Sequence, residues 1–432
     1  MAVDRIQNQM SDALEVLEQD GTVPDDIYSS NEIFELEQDR IFRRKWIPVG
    51  HESEIPDEGD YIVRYILEES FIVVRDEEGE VQVFANECCH QGRQVCHGEM
   101  GNASHFRCPY HGWTFDNTGE LVGIPNLEDA YQGNIDKDEV GGLRQPRFDT
   151  YDGLVFICLS EETEPLEDFL GDFKFYLDYH LKRTSEGMEL LGPHRVIKDT
   201  NWKIGVINNM SDHYHSLVTH RSFADVPSIL PTDRLEEDEP RYHIHAGPGG
   251  LEMAETGSWF DIYPEEMHDS MREGLPEENL KLMEEKGYTP INGGFFPNFI
   301  INTTAVATPE GEDSAIGMTY VMMYRPISAT QSEAYLWCAV EKNAPEKYKE
   351  RAHQAFVGAF GSSGVADQDD AKNWMSVTKG SKGTTMDLRY DMQKETKPVD
   401  WDAPGTAYHS WFNEANARHF LRQYFEAMSG ED

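Results

Sequence analysis

The sequence predicts an α+β protein of two domains: a small antiparallel β domain at residues 46–160 and a larger α+β domain at 161–432, behind a helical lead-in at 1–45. Three observations predict this. Apolar residues in the lead-in recur at helical spacing; from Trp46 the chain turns to short apolar runs split by acidic or Gly-containing turns; beyond Ser160 the two textures mix. The 432 residues suit two or three domains at roughly 100–200 residues each.

Each element has its own signal. In the lead-in, Ala13, Leu14, Val16 and Leu17 form one helical stripe, and Ile33, Phe34, Leu36, Ile41 and Phe42 a second. The breaker Asp20-Gly-Thr-Val-Pro-Asp-Asp separates them. The β domain shows strand-like Tyr61-Ile-Val-Arg-Tyr-Ile, Ser70-Phe-Ile-Val-Val-Arg, Val81-Gln-Val-Phe-Ala and Gly153-Leu-Val-Phe-Ile-Cys, and Glu77-Glu-Gly-Glu80 marks a hairpin. In the larger domain, Ile291-Asn-Gly-Gly-Phe-Phe-Pro-Asn-Phe-Ile-Ile-Asn and Gly317-Met-Thr-Tyr-Val-Met-Met-Tyr-Arg precede helix-like Ala344-Pro-Glu-Lys-Tyr-Lys-Glu-Arg-Ala-His-Gln-Ala-Phe. The acidic runs from Glu161 and from Leu235 are expected to be solvated linkers or loops. No internal repeat is visible.

Composition narrows the partners. Lys+Arg is 37 and Asp+Glu is 80, a formal charge of −43, which excludes a nucleic-acid binder and an anionic membrane surface because both need clustered cations. Hydrophobic residues make up 39% and aromatics 11%, enough to build a core, so the charge does not mean disorder. An acidic coat on a folded chain suits a salt-rich medium, where counter-ions screen self-repulsion. No secretory h-region or membrane-spanning apolar stretch is seen, so a cytoplasmic protein is expected. Six Cys do not make a disulfide framework; Cys88, Cys89, Cys96 and Cys108 crowd one window, which in a reducing compartment favours metal binding.

That window holds Cys88-x-His90 and, after 17 residues, Cys108-x-x-His111. Two thiolates and two imidazoles on separate loops suit either a structural zinc or an iron–sulfur centre, and ligand count does not separate them. Cys89 cannot join Cys88 on the same ion without displacing it and is expected to pack or to be mildly reactive. Cys96 reads as a small buried hydrophobe, and His97 and His105 as surface residues.

A second constellation is Asp212-x-x-His215-x4-His220. On a helix Asp212 reaches the ring of His215 three residues on, but positions five apart diverge by about 140°. His215 and His220 can share an ion only where the helix bends, ends or carries a π-bulge. Two neutral imidazoles then need a carboxylate to complete a three-ligand face with open positions, as oxygen-activating Fe(II) requires. Composition alone does not choose the carboxylate.

The flanking residues carry a family resemblance. Cys88-x-His90 with Cys108-Pro-Tyr-His-Gly-Trp113, Asn86 before the first loop and Gly92 after it, resembles the Rieske 2Fe-2S motif. Asn201-Trp-Lys, Asp212-x-x-His215-x4-His220 and Asp367-Gln-Asp-Asp-x-x-Asn-Trp374 resemble the catalytic domain of Rieske ring-hydroxylating oxygenase alpha subunits, over roughly residues 28–430. The resemblance implies a helix-grip-like antiparallel sheet in the larger domain. It implies that Cys88 and Cys108 bind one iron of a 2Fe-2S cluster and His90 and His111 the other. Pro109 and Gly112 would shape the second loop and Trp113 would shield it. A mononuclear Fe(II) would be held by His215, His220 and Asp370, while Asp367 and Asp369 are expected as surface charge. Asn209, Met210 and Phe360 fall where relatives line an apolar substrate pocket, and Asp212 where relatives couple the two centres across a head-to-tail trimer interface; read without the resemblance, Asp212 would be a helix N-cap. The implied activity is cis-dihydroxylation of an aromatic ring with O2, using NAD(P)H electrons delivered by a ferredoxin or reductase, in a homotrimer or, with a small beta subunit, as α3β3. A monooxygenase or O-demethylase with the same metals, and a non-redox zinc-stabilised binding protein, are the competing readings.

Overall fold

The computed structural model describes residues 2–221, 241–255, 259–308, 311–383, 385–386, 388–392, 397–409 and 412–430; the acidic run from Leu235 lies outside them. The chain divides into two compact units, one of residues 42–163 and one joining 1–41 to 164–432. The helical lead-in thus belongs, as far as Ile41, to the larger unit.

In the smaller unit the strands are β1 (Ile47–His51), β2 (Asp60–Ile66), β3 (Glu69–Arg75), β4 (Val81–Ala85), β5 (Met100–Asn102), β6 (His105–Arg107), β7 (Thr114–Asp116), β8 (Leu121–Gly123), β9 (Arg147–Tyr151) and β10 (Leu154–Cys158). They form three antiparallel sheets, ordered β4-β3-β2-β5, β6-β7-β8 and β9-β10-β1. The β3–β4 hairpin closes where Gly79 takes a positive φ and the Asp76 carboxylate accepts from the backbone of Glu78 (3.0 Å) and Glu80 (2.8 Å). Val63, Ile72, Val74, Phe84, Phe106 and Phe115 pack with Cys88, Cys96 and Cys108 into one core. The core reaches to the base of the two Cys loops.

In the larger unit α1 (Ala2–Asp20) and α2 (Asn31–Glu37) come first, then α3 (Lys174–Leu181), β11 (Met188–Lys198), α4 (Trp202–Ser211) and α5 (Ser216–Thr219). After these run β12 (Arg241–Ala246), β13 (Gly249–Glu255), β14 (Tyr288–Phe295), β15 (Phe299–Thr308), β16 (Gly311–Ser328) and β17 (Gln331–Glu341). Toward the C-terminus lie α6 (Glu346–Ala359), α7 (Val365–Gly380), β18 (Pro398–Val399), β19 (Thr406–His409) and α8 (Ala415–Ser429). One antiparallel sheet runs β11-β17-β16-β15-β14-β13-β12-β19-β18.

Successive strand residues face opposite sides, which gives this sheet two distinct faces. Thr303 and Thr319 pair across β15 and β16 and bond each other (2.7 Å); there they meet His180 of α3 (3.0 Å) and Arg183, which pairs with fully buried Glu341 at 3.1 Å. On the other face, Asn302 and Tyr324 hydrogen-bond α4. Helix α4 comes close because Gly250 and Gly294 lie beneath it: a Cβ at either would stand about 3 Å from Met210.

The start of α4 explains Asn201-Trp-Lys. Asn201 caps the helix by accepting from Lys203 N (3.1 Å) and donates to Ala329 O (2.7 Å). Trp202 is fully buried and donates to Glu37 of α2 (2.9 Å), which also pairs with Lys203 and accepts from Tyr424 of α8 (2.7 Å). The lead-in therefore anchors the helix that leads to the second constellation.

Candidate metal centres

The two loops of the smaller unit share one backbone design. In the first, Cys88 N donates to Arg93 O and Gly92 N to Cys88 O, both at 2.9 Å; in the second, Cys108 N donates to Trp113 O (2.8 Å) and Gly112 N to Cys108 O (2.9 Å). Gly92 and Gly112 both take positive φ, and a Cβ on Gly112 would meet Pro125 and Arg107. Asn86 ties down the base of the first loop, bonding Val95 N (3.0 Å), Cys96 N (2.8 Å) and Cys96 O (2.9 Å).

This brings the four predicted ligands together. The His90 and His111 ring centroids are 4.6 Å apart, and His90 lies flat on Trp113 at 4.5 Å. Cys88 and Cys108 are buried beneath, and burial, reinforced by Cys108, pushes the Cys88 thiol up to about 11. Thiolates there need a cation, and two buried sulfurs with two nearer-surface imidazoles form the S2N2 donor set of a Rieske cluster. Cys89 turns toward Gly141 O (3.8 Å), Cys96 is core, and His97 and His105 are exposed.

In the larger unit the question of five-residue spacing resolves by helix termination. Helix α4 ends at Ser211 with Asp212 as its C-cap, not an N-cap, and a 3₁₀ turn at His213–His215 leads into α5. Among the described residues the π-helical turn lies elsewhere, at Gln38–Phe42. His215 and His220 thereby bring their Nε2 atoms within 3.2 Å, and Asp370 Oδ1 of α7 lies 3.4 and 3.2 Å from them. Among the described residues these three form the one group of three or more whose donor atoms all lie within 4.8 Å. Such spacings suit ligands sharing one ion at about 2.1 Å.

The electrostatics fit the same ion. Burial opposes charge on His215, but Asp212 and Asp370 outweigh it and raise its pKa to about 10; Asp370, despite burial, is held below the usual range by the two imidazoles. A metal ion can take the place of the proton that the two carboxylates otherwise hold on His215. His215 Nδ1 meets the backbone carbonyl of Asp212 and lies 3.5 Å from its carboxylate, leaving Nε2 for the ion.

The matched family models cover both units: Rieske [2Fe-2S] domain at residues 45–139 and ring hydroxylating alpha subunit (catalytic domain) at 175–430. The chain belongs to the ring-hydroxylating alpha-subunit family. The alpha subunit of an N,N-dimethyl phenylurea N-demethylase from Sphingobium sp. is 33% identical, covering 95% of this chain and 92% of the relative. The alpha subunit of a biphenyl 2,3-dioxygenase from Rhodococcus jostii is 31% identical, covering 96% and 90%. Among solved structures, a naphthalene 1,2-dioxygenase from Rhodococcus sp. bound to indole matches with a TM-score of 0.93 at 36% identity, covering 100% of both chains. As a ring-hydroxylating alpha subunit, the protein is an oxidoreductase whose cofactors are a Rieske 2Fe-2S cluster and a mononuclear iron.

The predicted pocket residues of this alpha subunit have different surroundings. Asn209 is tied to Gly205 O (2.9 Å) and Tyr324 Oη (3.1 Å), Met210 is buried against Gly250 and Gly294, and Phe360 stacks on Tyr320 at 4.3 Å. Polar partners thus accompany residues expected to line an apolar pocket. Asp369 is half-buried, and Asp367, expected at the surface, is buried, because it pairs with Lys198, whose ammonium also lies 4.5 Å from the Trp374 ring. Sequence reasoning also missed Asn208, whose side chain lies 3.5 Å from His215 Nε2, and Asn373, which bonds Thr219 of α5 at 3.3 Å beside the triad. The available signals were the place of Asn373 within the Asp367–Trp374 motif and that of Asn208 between Asn201-Trp-Lys and Asp212.

Proposed function

We propose that this chain is the catalytic alpha subunit of an aromatic-ring dioxygenase, adding both atoms of O2 across a ring double bond to give a cis-dihydrodiol. The observation that carries it is the converging His215, His220 and Asp370 triad in a chain that also holds a Rieske loop pair. Cys88, Cys108, His90 and His111 hold the cluster, and His215, His220 and Asp370 the mononuclear iron. Loaded with these groups, the protein has the oxygen-activating and electron-storing chemistry that its side chains lack. Asp212 keeps the proton of His215 on Nδ1, and its carboxylate, about one-third exposed, is placed to meet His111 of the partner subunit in a head-to-tail trimer. Asn209, Met210 and Phe360 position the ring. The chain works in the cytoplasm with a ferredoxin or reductase, as a homotrimer or with beta subunits as α3β3. No helix among the described residues is long and apolar enough to cross a membrane.

A second reading, oxidative N-dealkylation or another monooxygenation, is supported by the phenylurea N-demethylase relative. Labelled O2 separates the two: a diol carrying both labelled atoms means dioxygenation, one labelled atom with loss of an alkyl group means dealkylation. Iron analysis tests both at once, since about three irons and two labile sulfides per chain are expected. A colourless zinc protein would refute either.

A further inference from the structure

We propose that Tyr320 is a hydrogen-bond donor kept for the substrate, and that the substrate is an aromatic ring bearing a neutral oxygen acceptor of carbonyl type. This rests on the aromatic-oxygenase reading and specifies its substrate.

Tyr320 on β16 stands directly across from Asn302 on β15, on the sheet face that carries α4. Asn302 is committed on both ends of its amide. Its Oδ1 accepts from Gly293 N (2.9 Å), while its Nδ2 donates to Asn209 O (3.3 Å) and to Tyr320 Oη (2.8 Å). Asn302 therefore presents N–H to the phenol, which accepts. A phenol also has one proton to give, and among the described residues Tyr320 has no acceptor for it. Tyr324, four residues along on the same face, differs: it accepts from Asn209 (3.1 Å) and turns its proton toward Met322 Sδ (3.7 Å). Tyr320 is 4% exposed and its oxygen is satisfied as an acceptor by Asn302, which leaves the phenol proton to a further acceptor.

Its position supplies one. The ring stacks on Phe360 (4.3 Å, 21° between planes), ten residues before Asp370, and its hydroxyl reaches through Asn302 to Asn209, six residues before His215. The donor stands between the two stretches that converge on the triad. Burial, the largest cause, raises the phenol above its ordinary value and keeps it protonated. A buried substrate anion would need a cation of its own, and the Lys198 ammonium is already paired with Asp367. A neutral carbonyl oxygen accepts the proton without adding charge.

The test is titration calorimetry on oxygen-free, iron-loaded protein with acetophenone, its hydrocarbon isostere α-methylstyrene, and benzoate. In wild type, benzoate should bind most weakly. Tyr320→Phe keeps the stacked ring and should cut the affinity ratio of acetophenone to α-methylstyrene about tenfold, the size of one buried neutral hydrogen bond, by weakening acetophenone alone. An unchanged ratio, or benzoate binding tightest in wild type, overturns the proposal and leaves the aromatic reading standing. Failure of wild type to bind any of the three overturns both, and the wild-type series holds even if the variant folds poorly.

Discussion

His215 is constrained on two edges of one ring, with Nδ1 against Asp212 and Nε2 facing His220 and Asp370. The two carboxylates therefore separate by experiment. Asp370→Ala removes a ligand while the Cys loops of the other unit are untouched, so the iron-to-sulfide ratio should fall from about 3:2 to about 2:2 with the cluster's visible spectrum intact; retention of the third iron would mean another carboxylate holds it. Asp212→Ala leaves the backbone carbonyl on Nδ1, so both metals should stay bound while steady-state turnover drops by at least about tenfold, as expected for an interrupted electron path. Loss of iron in that variant would make Asp212 a support for the metal site and not a coupler. Asp367, three residues from Asp370, contributes differently: its buried pair with Lys198 fixes α7 against the end of β11.

Helix α4 joins the lead-in to the triad, and its fixation rests on Glu37. That carboxylate meets Trp202, Lys203 and Tyr424, each from a different direction, with all four residues buried. Glu37→Ala leaves Lys203 charged or unsatisfied in the interior and should cost about 3–5 kcal/mol, read by calorimetry as an earlier transition of the larger unit with the cluster absorbance unchanged below it. A cost under about 1 kcal/mol would show that the lead-in is not an anchor. Legibility followed the distance a contact spans in sequence. The strands at Ser70, Val81 and Gly153 were plain because burial shows in short apolar runs, and both Cys-His pairs because each lies within one loop. His215 and His220 were visible as a pair, but not the helix end that lets them converge. Asp370 followed only from resemblance, since 150 residues and strand packing separate it from His220. The Tyr320–Asn302 pair was hidden because it exists only in the register of β15 with β16, and the buried Asp367 because its cation comes from the far end of β11.

At the scale of the molecule, acid and salt act on different charges. His180 lies fully buried beside Arg183, and burial first, then that cation, lowers its pKa to about 3. The folded value lies below the unfolded value of about 6.5, so the unfolded chain binds the proton first and stability, complete above that pH, falls as acid is added, by about 2 kcal/mol at pH 5. His180→Gln, which can still meet Thr303, should flatten the fall in melting temperature between about pH 6.5 and pH 4; an unchanged slope would assign the loss to the carboxylates. Salt addresses the surface. With a formal charge of −43 per chain, subunits of the proposed trimer repel over a screening length of about 3 Å at 1 M salt and about 10 Å at 0.1 M. Short-range interface contacts do not strengthen as that repulsion lengthens, so dilution should dissociate the assembly before it unfolds the chain. Sedimentation velocity in about 1 M and about 0.05 M KCl should show trimer giving way to a folded monomer with its visible spectrum retained, while turnover falls in parallel because Asp212 loses the partner subunit's His111. An intact, fully active oligomer in dilute buffer would separate the acidic coat from assembly and leave it a property of solubility alone.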